Sequence, residues 1–278
     1  MSREGGEIAP GVHRITTGAG SGPGHYAPNS YLVVGGDGAA FIDTGWARPE
    51  DVQARLDYLA HLGNPIVKAI AVTHRHPDHV GGALAIQRAT GAQVVTAPAE
   101  QGPIEKAHPG LRVRAAADGE VMGLGGLTLE FVHAPGHTLG SLVVFLRERK
   151  ALFTGDNVMG VGTSVIDPRE GDLAAYLETL EKLLRYGPAM IYPGHGPQVD
   201  DAQAKLRELI AHRMERETQV LTLVREHPRG VEELVGEIYP ELDVGVLPLA
   251  RDQVRSHLLK LMKEGRVAKG QDEKYLAR

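Results

Sequence analysis

The sequence predicts an α/β layered protein that ends in a small helical domain. Two observations carry that reading. Up to about residue 200, short apolar runs alternate with polar stretches of helical periodicity, the pattern of sheets covered by helices. Beyond it, three helical patterns are followed by a short strand-like tail, the outline of a winged helix. The division is therefore expected as residues 1–200 and residues 201–278. A chain of 278 residues with 42% hydrophobic and 23% charged residues can bury a sizeable core, and disorder is not expected.

The elements follow in order. Tyr31–Val34 and Ala39–Ile42 read as neighbouring strands joined by a Gly-Gly-Asp-Gly turn. Pro49 to Leu62 has helical periodicity, with proline suited to its first turn and Gly63 to its end. Val67–Val72 reads as a buried strand, Val80–Thr90 as a helix and Gln93–Thr96 as a strand. Leu127–Val132 is another strand, and Leu142–Phe153 a hairpin turning at Arg147–Lys150. Asp172–Tyr186 is an amphipathic helix, and Met190–Tyr192 a last short strand. The C-terminal helices are expected at Asp201–Glu226, Val231–Tyr239 and Pro248–Glu264, with the wing formed by the remaining residues.

Charge and cysteine content narrow the function. The net charge is −5, and residues 201–278 hold fourteen basic and fourteen acidic side chains, so all of the excess lies in the front part. That balance gives no bulk attraction to nucleic acid or to an anionic membrane. The third C-terminal helix and tail carry Arg251, Arg255, Lys260, Lys263, Arg266 and Lys269, but sequence-specific DNA binding is not expected without a net basic footprint. There is no cysteine, which excludes disulfides, thiolate metal sites and a cysteine nucleophile. The first ten residues lack the apolar stretch of a signal peptide and no run reaches membrane-spanning length, so a cytoplasmic protein is expected.

The chemistry concentrates in Thr73-His74-Arg75-His76-Pro77-Asp78-His79, which follows a strand and precedes Gly81-Gly82. Four metal-ligating side chains within six residues make a poor core, because burying imidazoles and a carboxylate without partners is costly. A strand-to-helix turn can instead fan them toward one point. Pro135-Gly136-His137, Thr154-Gly155-Asp156 and Pro193-Gly194-His195 share a texture: an apolar strand ending in a glycine-flanked polar residue. Together the segments supply five histidines and two aspartates, enough for two ions sharing a carboxylate.

This run, with Ile42-Asp43-Thr44-Gly45 ahead of it and the three later motifs in the same order, resembles the metallo-β-lactamase superfamily over residues 30–200. The resemblance implies an αβ/βα four-layer sandwich with the metals at one edge between its two sheets. It implies that His74, His76 and His137 hold one ion, that Asp78, His79 and His195 hold the second, and that Asp156 bridges them. Asp43 would orient the ligand loops from behind. Zinc fits such ligation, as do manganese and iron. The implied chemistry is hydrolysis by a hydroxide shared between two metal ions, with Asp78 available as a catalytic proton handler besides its ligand role. Thr138 and Ser141 would bond to the ligand loop. The C-terminal layout further resembles the β-lactamase-like protein 2 subgroup, in which a winged helix follows the hydrolase domain.

Three functions stay open on the sequence. The subgroup resemblance implies cleavage of single-stranded RNA, the glyoxalase II type of relative implies hydrolysis of a small ester or thioester, and an inactive hydrolase domain in a nucleic-acid-binding regulator is the third. The C-terminal domain would serve accordingly as an RNA guide, a lid or a dimer surface, and a homo-oligomer is left open. Gly18–Gly24 lacks the lysine ending of a phosphate-binding loop and is read as a flap. His133 is a candidate pocket wall.

Overall fold

The computed structural model describes residues 4–20 and 26–278, and its chain forms two compact units. Strands and helices are numbered below in chain order. The first unit comprises residues 1–134, 140–162 and 186–203; the second comprises residues 135–139, 163–185 and 204–278.

The first unit is built on two sheets. Seven strands follow one another in the first: β1 (Glu4–Ala9), β2 (Val12–Thr16), β3 (Asn29–Gly35), β4 (Gly38–Ile42), β5 (Val67–Ala71), β6 (Gln93–Thr96) and β7 (Val113–Ala115). β1 to β4 run antiparallel and β4 to β7 parallel, the parallel steps being crossed by α1 (Pro49–His61), then α2 (Pro77–Val80) with α3 (Ala83–Thr90), then α4 (Pro98–Ala107). The second sheet holds β8 (Glu120–Gly123), β9 (Thr128–His133), β10 (Leu142–Leu146), β11 (Ala151–Gly155) and β12 (Met190–Pro193), with only β11 and β12 parallel.

Period-two alternation divides the core. Tyr31, Val33, Ala40, Ile42 and Val95 face the second sheet and meet Phe131, Val144, Phe153 and Tyr192. Leu32, Phe41, Ile70 and Val94 point the other way, onto Val52 and Leu59 of α1, Ile86 of α3 and Ile104 of α4. Both faces of the first sheet are thus buried, which explains why its central strands read as continuous apolar runs.

The second unit contains α5 (Leu173–Arg185), α6 (Ala202–Glu226 from residue 204 on), α7 (Val231–Ile238), α8 (Leu247–Lys263) and a hairpin of β13 (Val267–Lys269) and β14 (Tyr275–Ala277). Its core joins Val220, Leu221 and Val224 of α6 to Leu234 of α7, to Val254, Leu258 and Leu261 of α8, and to Val267. Three helices and a two-stranded wing are what the sequence led one to expect. The turn at Arg147–Arg149 is a single 3-10 turn that Lys150 closes with a left-handed backbone. Residues 21–24 of the expected Gly18–Gly24 flap lie outside the described residues. Among the described residues no helix is long and apolar enough to cross a membrane.

Candidate metal centre

In the first unit the polar motifs lie at the C-terminal ends of parallel strands. Asp43 follows β4, Thr73 and His74 follow β5, Asp156 follows β11 and His195 follows β12. The Thr73 carbonyl accepts from Leu142 N at 2.8 Å, which ties the two sheets together at this edge. His76, Asp78 and His79 are carried by the short α2, which Pro77 starts and which turns the chain sharply enough to bring His79 back beside β5.

The candidate ligand atoms converge in two groups. One atom from each of His74, His76, His137 and Asp156 lies within 4.8 Å of the others, and the same holds for Asp78, His79 and His195. His74 Nε2 lies 2.9 Å from His76 Nδ1, and His79 Nε2 lies 3.2 Å from His195 Nε2. Asp156 Oδ1 stands 3.3 Å from His79 Nε2 and 3.6 Å from His195 Nε2, while Asp78 Oδ2 is 3.4 Å from His195 Nε2. Asp156 therefore touches both groups. The close approach requires Gly194: a Cβ there would sit 2.6 Å from Asp156 Oδ1 and 2.7 Å from His79 Cε1.

The far nitrogens are held by acceptors. His79 Nδ1 donates to Asp43 Oδ2 at 2.7 Å, His195 Nδ1 to the Tyr26 carbonyl at 2.9 Å and His137 Nδ1 to the Val165 carbonyl at 2.7 Å. The Thr73 hydroxyl donates to Asp43 Oδ2 at 2.7 Å, so its oxygen can accept from His74 Nδ1, 3.1 Å away. Asp43 Oδ1 also accepts from Thr73 N at 2.8 Å. Asp43 thus fixes His79 directly and His74 through Thr73. These bonds put the lone pair of each ring on Nε2, the atom turned toward the cluster.

The arrangement fits a divalent cation. Two imidazole lone pairs 3.2 Å apart repel unless positive charge lies between them. The electrostatics favour such charge. Burial opposes an imidazolium at His79, yet Asp156 and Asp43 outweigh it and raise its pKa well above the ordinary value. His195 is raised likewise, against burial, by its bond to Asp78 and by Asp156. Burial pushes the Asp156 carboxyl up, but His79, His195 and His74 hold it well below the usual range. Asp78 is also lowered, burial being overcome by His195 and His79.

Thr138 and Ser141 are buried beside His137, and their carbonyls accept from Gly136 N and Ala134 N. His133 Nε2 donates to the Ala116 carbonyl at 2.8 Å. The acceptors on His195 and His137 are main-chain carbonyls, which no side-chain pattern in the sequence announces. Thr73 lies inside the motif, and the hydroxyl at the strand end was the available clue.

Comparison with known proteins defines the class. Residues 5–195 match the model of the metallo-beta-lactamase superfamily, and residues 231–275 match that of the beta-lactamase associated winged helix domain. The chain belongs to the metallo-β-lactamase superfamily, a hydrolase with a C-terminal winged helix. It is 33% identical to the beta-lactamase-like protein 2 homolog of Drosophila melanogaster, over 89% of this chain and 87% of that one. It is also 33% identical to an atrochrysone carboxyl ACP thioesterase of Emericella nidulans, over 94% of this chain and 81% of that one. A beta-lactamase domain protein of Burkholderia ambifaria has the same fold, with a TM-score of 0.84 at 22% identity over 99% of this chain and 93% of that one.

Proposed function

We propose that the protein is a metal-dependent hydrolase of a small-molecule ester or thioester, working with two divalent ions. The convergence of seven histidine and aspartate side chains in two adjoining groups carries this reading. His74, His76 and His137 would hold one ion; Asp78, His79 and His195 the other; Asp156 would serve both. Zinc suits imidazole and carboxylate ligands. Bound divalent ions would supply Lewis acidity and make hydroxide available near neutral pH. The chain's own residues prepare that chemistry. Asp43, Tyr26 and Val165 hold the imidazoles in the ligating tautomer. Asp78, whose carboxyl is held below its ordinary range by His195 and His79 against the effect of burial, would be ionised and able to take a cation or a proton.

The choice of ester over RNA rests on the C-terminal cations. Arg251 pairs with Glu232 at 2.8 Å, Arg255 with Asp252 at 3.1 Å and Lys263 with Asp172 at 2.5 Å. Lys260 and Arg266 both pair with Glu217, at 2.6 and 2.8 Å, and Lys269 pairs with Glu273. Each cation that the sequence offers to a phosphate backbone already has a carboxylate partner, which weakens the counterion release that drives nucleic-acid binding. The thioesterase name of a relative supports the same reading.

The test is a substrate panel on metal-loaded protein: a coenzyme A or glutathione thioester, a phosphodiester, a β-lactam and a labelled single-stranded RNA. Thioester cleavage that falls at least about 100-fold in His76→Ala and Asp156→Ala is expected. Cleavage of RNA with thioesters untouched would overturn the substrate reading. Full activity of both variants without metal would end the metal reading.

A further inference from the structure

Arg213 on α6 is a buried guanidinium of the second unit, at 2% exposure. Burying a guanidinium is costly, and a carboxylate partner is the usual compensation. Here the two terminal nitrogens go to neutral oxygens instead. One donates to Gln253 Oε1 on α8 at 2.5 Å, and the other to the carbonyl of Ser164. The guanidinium carbon lies 5.5 Å from the centre of the Tyr176 ring, which offsets part of the desolvation.

Ser164 lies within residues 156–172, a stretch that belongs to no helix or strand, so no ladder fixes its peptide groups. Side chains do so instead. Ile166 O accepts from Ser256 Oγ at 2.7 Å and from Gln253 Nε2 at 3.4 Å, both on α8. Between those two pinned carbonyls lies Val165 O, the acceptor for His137 Nδ1. With planar peptides anchored on either side, the middle carbonyl has little freedom to turn.

The main chain around His137 is held within the same unit. Asp172 N donates to the Gly136 carbonyl at 3.0 Å, Leu139 N to the Glu170 carbonyl at 2.8 Å and Thr179 Oγ1 to the Pro135 carbonyl at 2.7 Å. The Val165 carbonyl directs the ring of His137 through its Nδ1.

We infer that Arg213, Gln253 and Ser256 are positioning residues for His137: by pinning the Ser164 and Ile166 carbonyls they aim Val165 O at His137 Nδ1 and so set the tautomer that leaves Nε2 to bind a metal ion. The inference rests on the reading of His137 as a ligand. Its substance is that helices α6 and α8, which carry none of the ligands, set the affinity of one ion. A hydrogen bond made directly to a ligating imidazole, as Val165 O makes to His137, changes metal affinity about 10- to 100-fold, which sets the upper range for groups that aim it.

The test is a competitive zinc titration against a chromophoric chelator, with visible spectra of the cobalt-loaded full-length protein and a melting curve for each variant. His137→Ala should lose one of two ions. Ser256→Ala and Arg213→Met should weaken one ion about 10- to 100-fold, leave the other unchanged and shift the cobalt spectrum. Ser256→Thr, which keeps the hydroxyl, should restore both. A purely structural role would lower the melting temperature without selecting one ion. If His137→Ala loses an ion while Ser256→Ala binds both like the parent with an unchanged spectrum, the positioning role is wrong. If His137→Ala keeps both ions, the ligand reading fails and the inference with it. Should Arg213→Met not fold, Ser256→Ala, which removes a single hydroxyl, decides alone.

Discussion

Asp43 shows how much one carboxylate can govern. Its two oxygens take three hydrogen bonds, from Thr73 N, Thr73 Oγ1 and His79 Nδ1, at 2.7–2.8 Å. Through them it orients an imidazole in each of the two candidate groups. An asparagine offers one acceptor oxygen and an amide that only donates. Asp43→Asn should therefore weaken both ions, each about 10- to 100-fold by chelator competition, in contrast to the single-ion effect expected for Ser256→Ala. The residue types of the site were legible in the sequence because His74 to His79 have no use in a core. The bonding behind them was less so. Asp43 could be found from its motif, but Tyr26 and Val165 contribute carbonyl oxygens, which every residue has. A second residue-scale consequence concerns His257, which sits at 2% exposure with neither ring nitrogen hydrogen-bonded among the described residues. Burial, then Arg213, Lys260, His212 and Arg216 around it, lower its pKa to about 3. The folded ring stays neutral while the unfolded one protonates near 6.5, so its contribution is fully present above pH 6.5 and is lost as pH falls toward 3. Stability should fall by about 1.4 kcal/mol per pH unit in that window from this group. His257→Phe should flatten the curve, measured by denaturant titration at pH 7 and pH 4.5.

Elements were predicted well wherever periodicity was strong. Pro49–His61, Gln93–Thr96 and the three C-terminal helices lie within a residue or two of their expected bounds. Val80–Thr90, read as one helix, is interrupted at Gly81-Gly82, and its first residue, Val80, is the last of α2, which carries candidate ligands. A glycine pair within a helical pattern was the available signal. β1 and β2 were missed because Glu4–Ala9 is polar and glycine-containing; its pairing with β2 makes it a strand. α4 was missed because Gly102 and Pro103 lie inside it, and burial of Ile104 and Glu100 outweighs their poor propensity. At this scale the loop joining β9 to β10 makes a prediction. A Cβ on Gly136 would stand 2.7 Å from Tyr176 Cδ2 and 3.0 Å from its Cα, so α5 cannot keep its place. Gly136→Ala should cost about 1–3 kcal/mol in denaturant unfolding and loosen one ion in the zinc titration.

For the whole molecule, the change of character near residue 200 is visible in composition, but the compact unit beyond it also takes in residues 135–139 and 163–185. No local pattern could announce that membership. It is made by Arg213 bonding Ser164, Ser256 bonding Ile166 and Lys263 pairing with Asp172, residues 49 to 91 positions apart. A chain cut after residue 200 would leave α5 and the His137 loop without these partners. It should bind at least one ion more weakly than the intact protein, by chelator competition, and expose apolar surface to a hydrophobic dye.

The same discontinuity orders events during synthesis. His137 leaves the ribosome more than a hundred residues ahead of Gln253 and Ser256. Until those residues emerge, the two hydrogen bonds from α8 to the Ile166 carbonyl cannot form. If His137 is a ligand, a nascent chain that lacks α8 would bind one ion more weakly than the finished fold, by the same factor expected for Ser256→Ala. On that reading, tight binding of one ion would report that α8 has been made and packed.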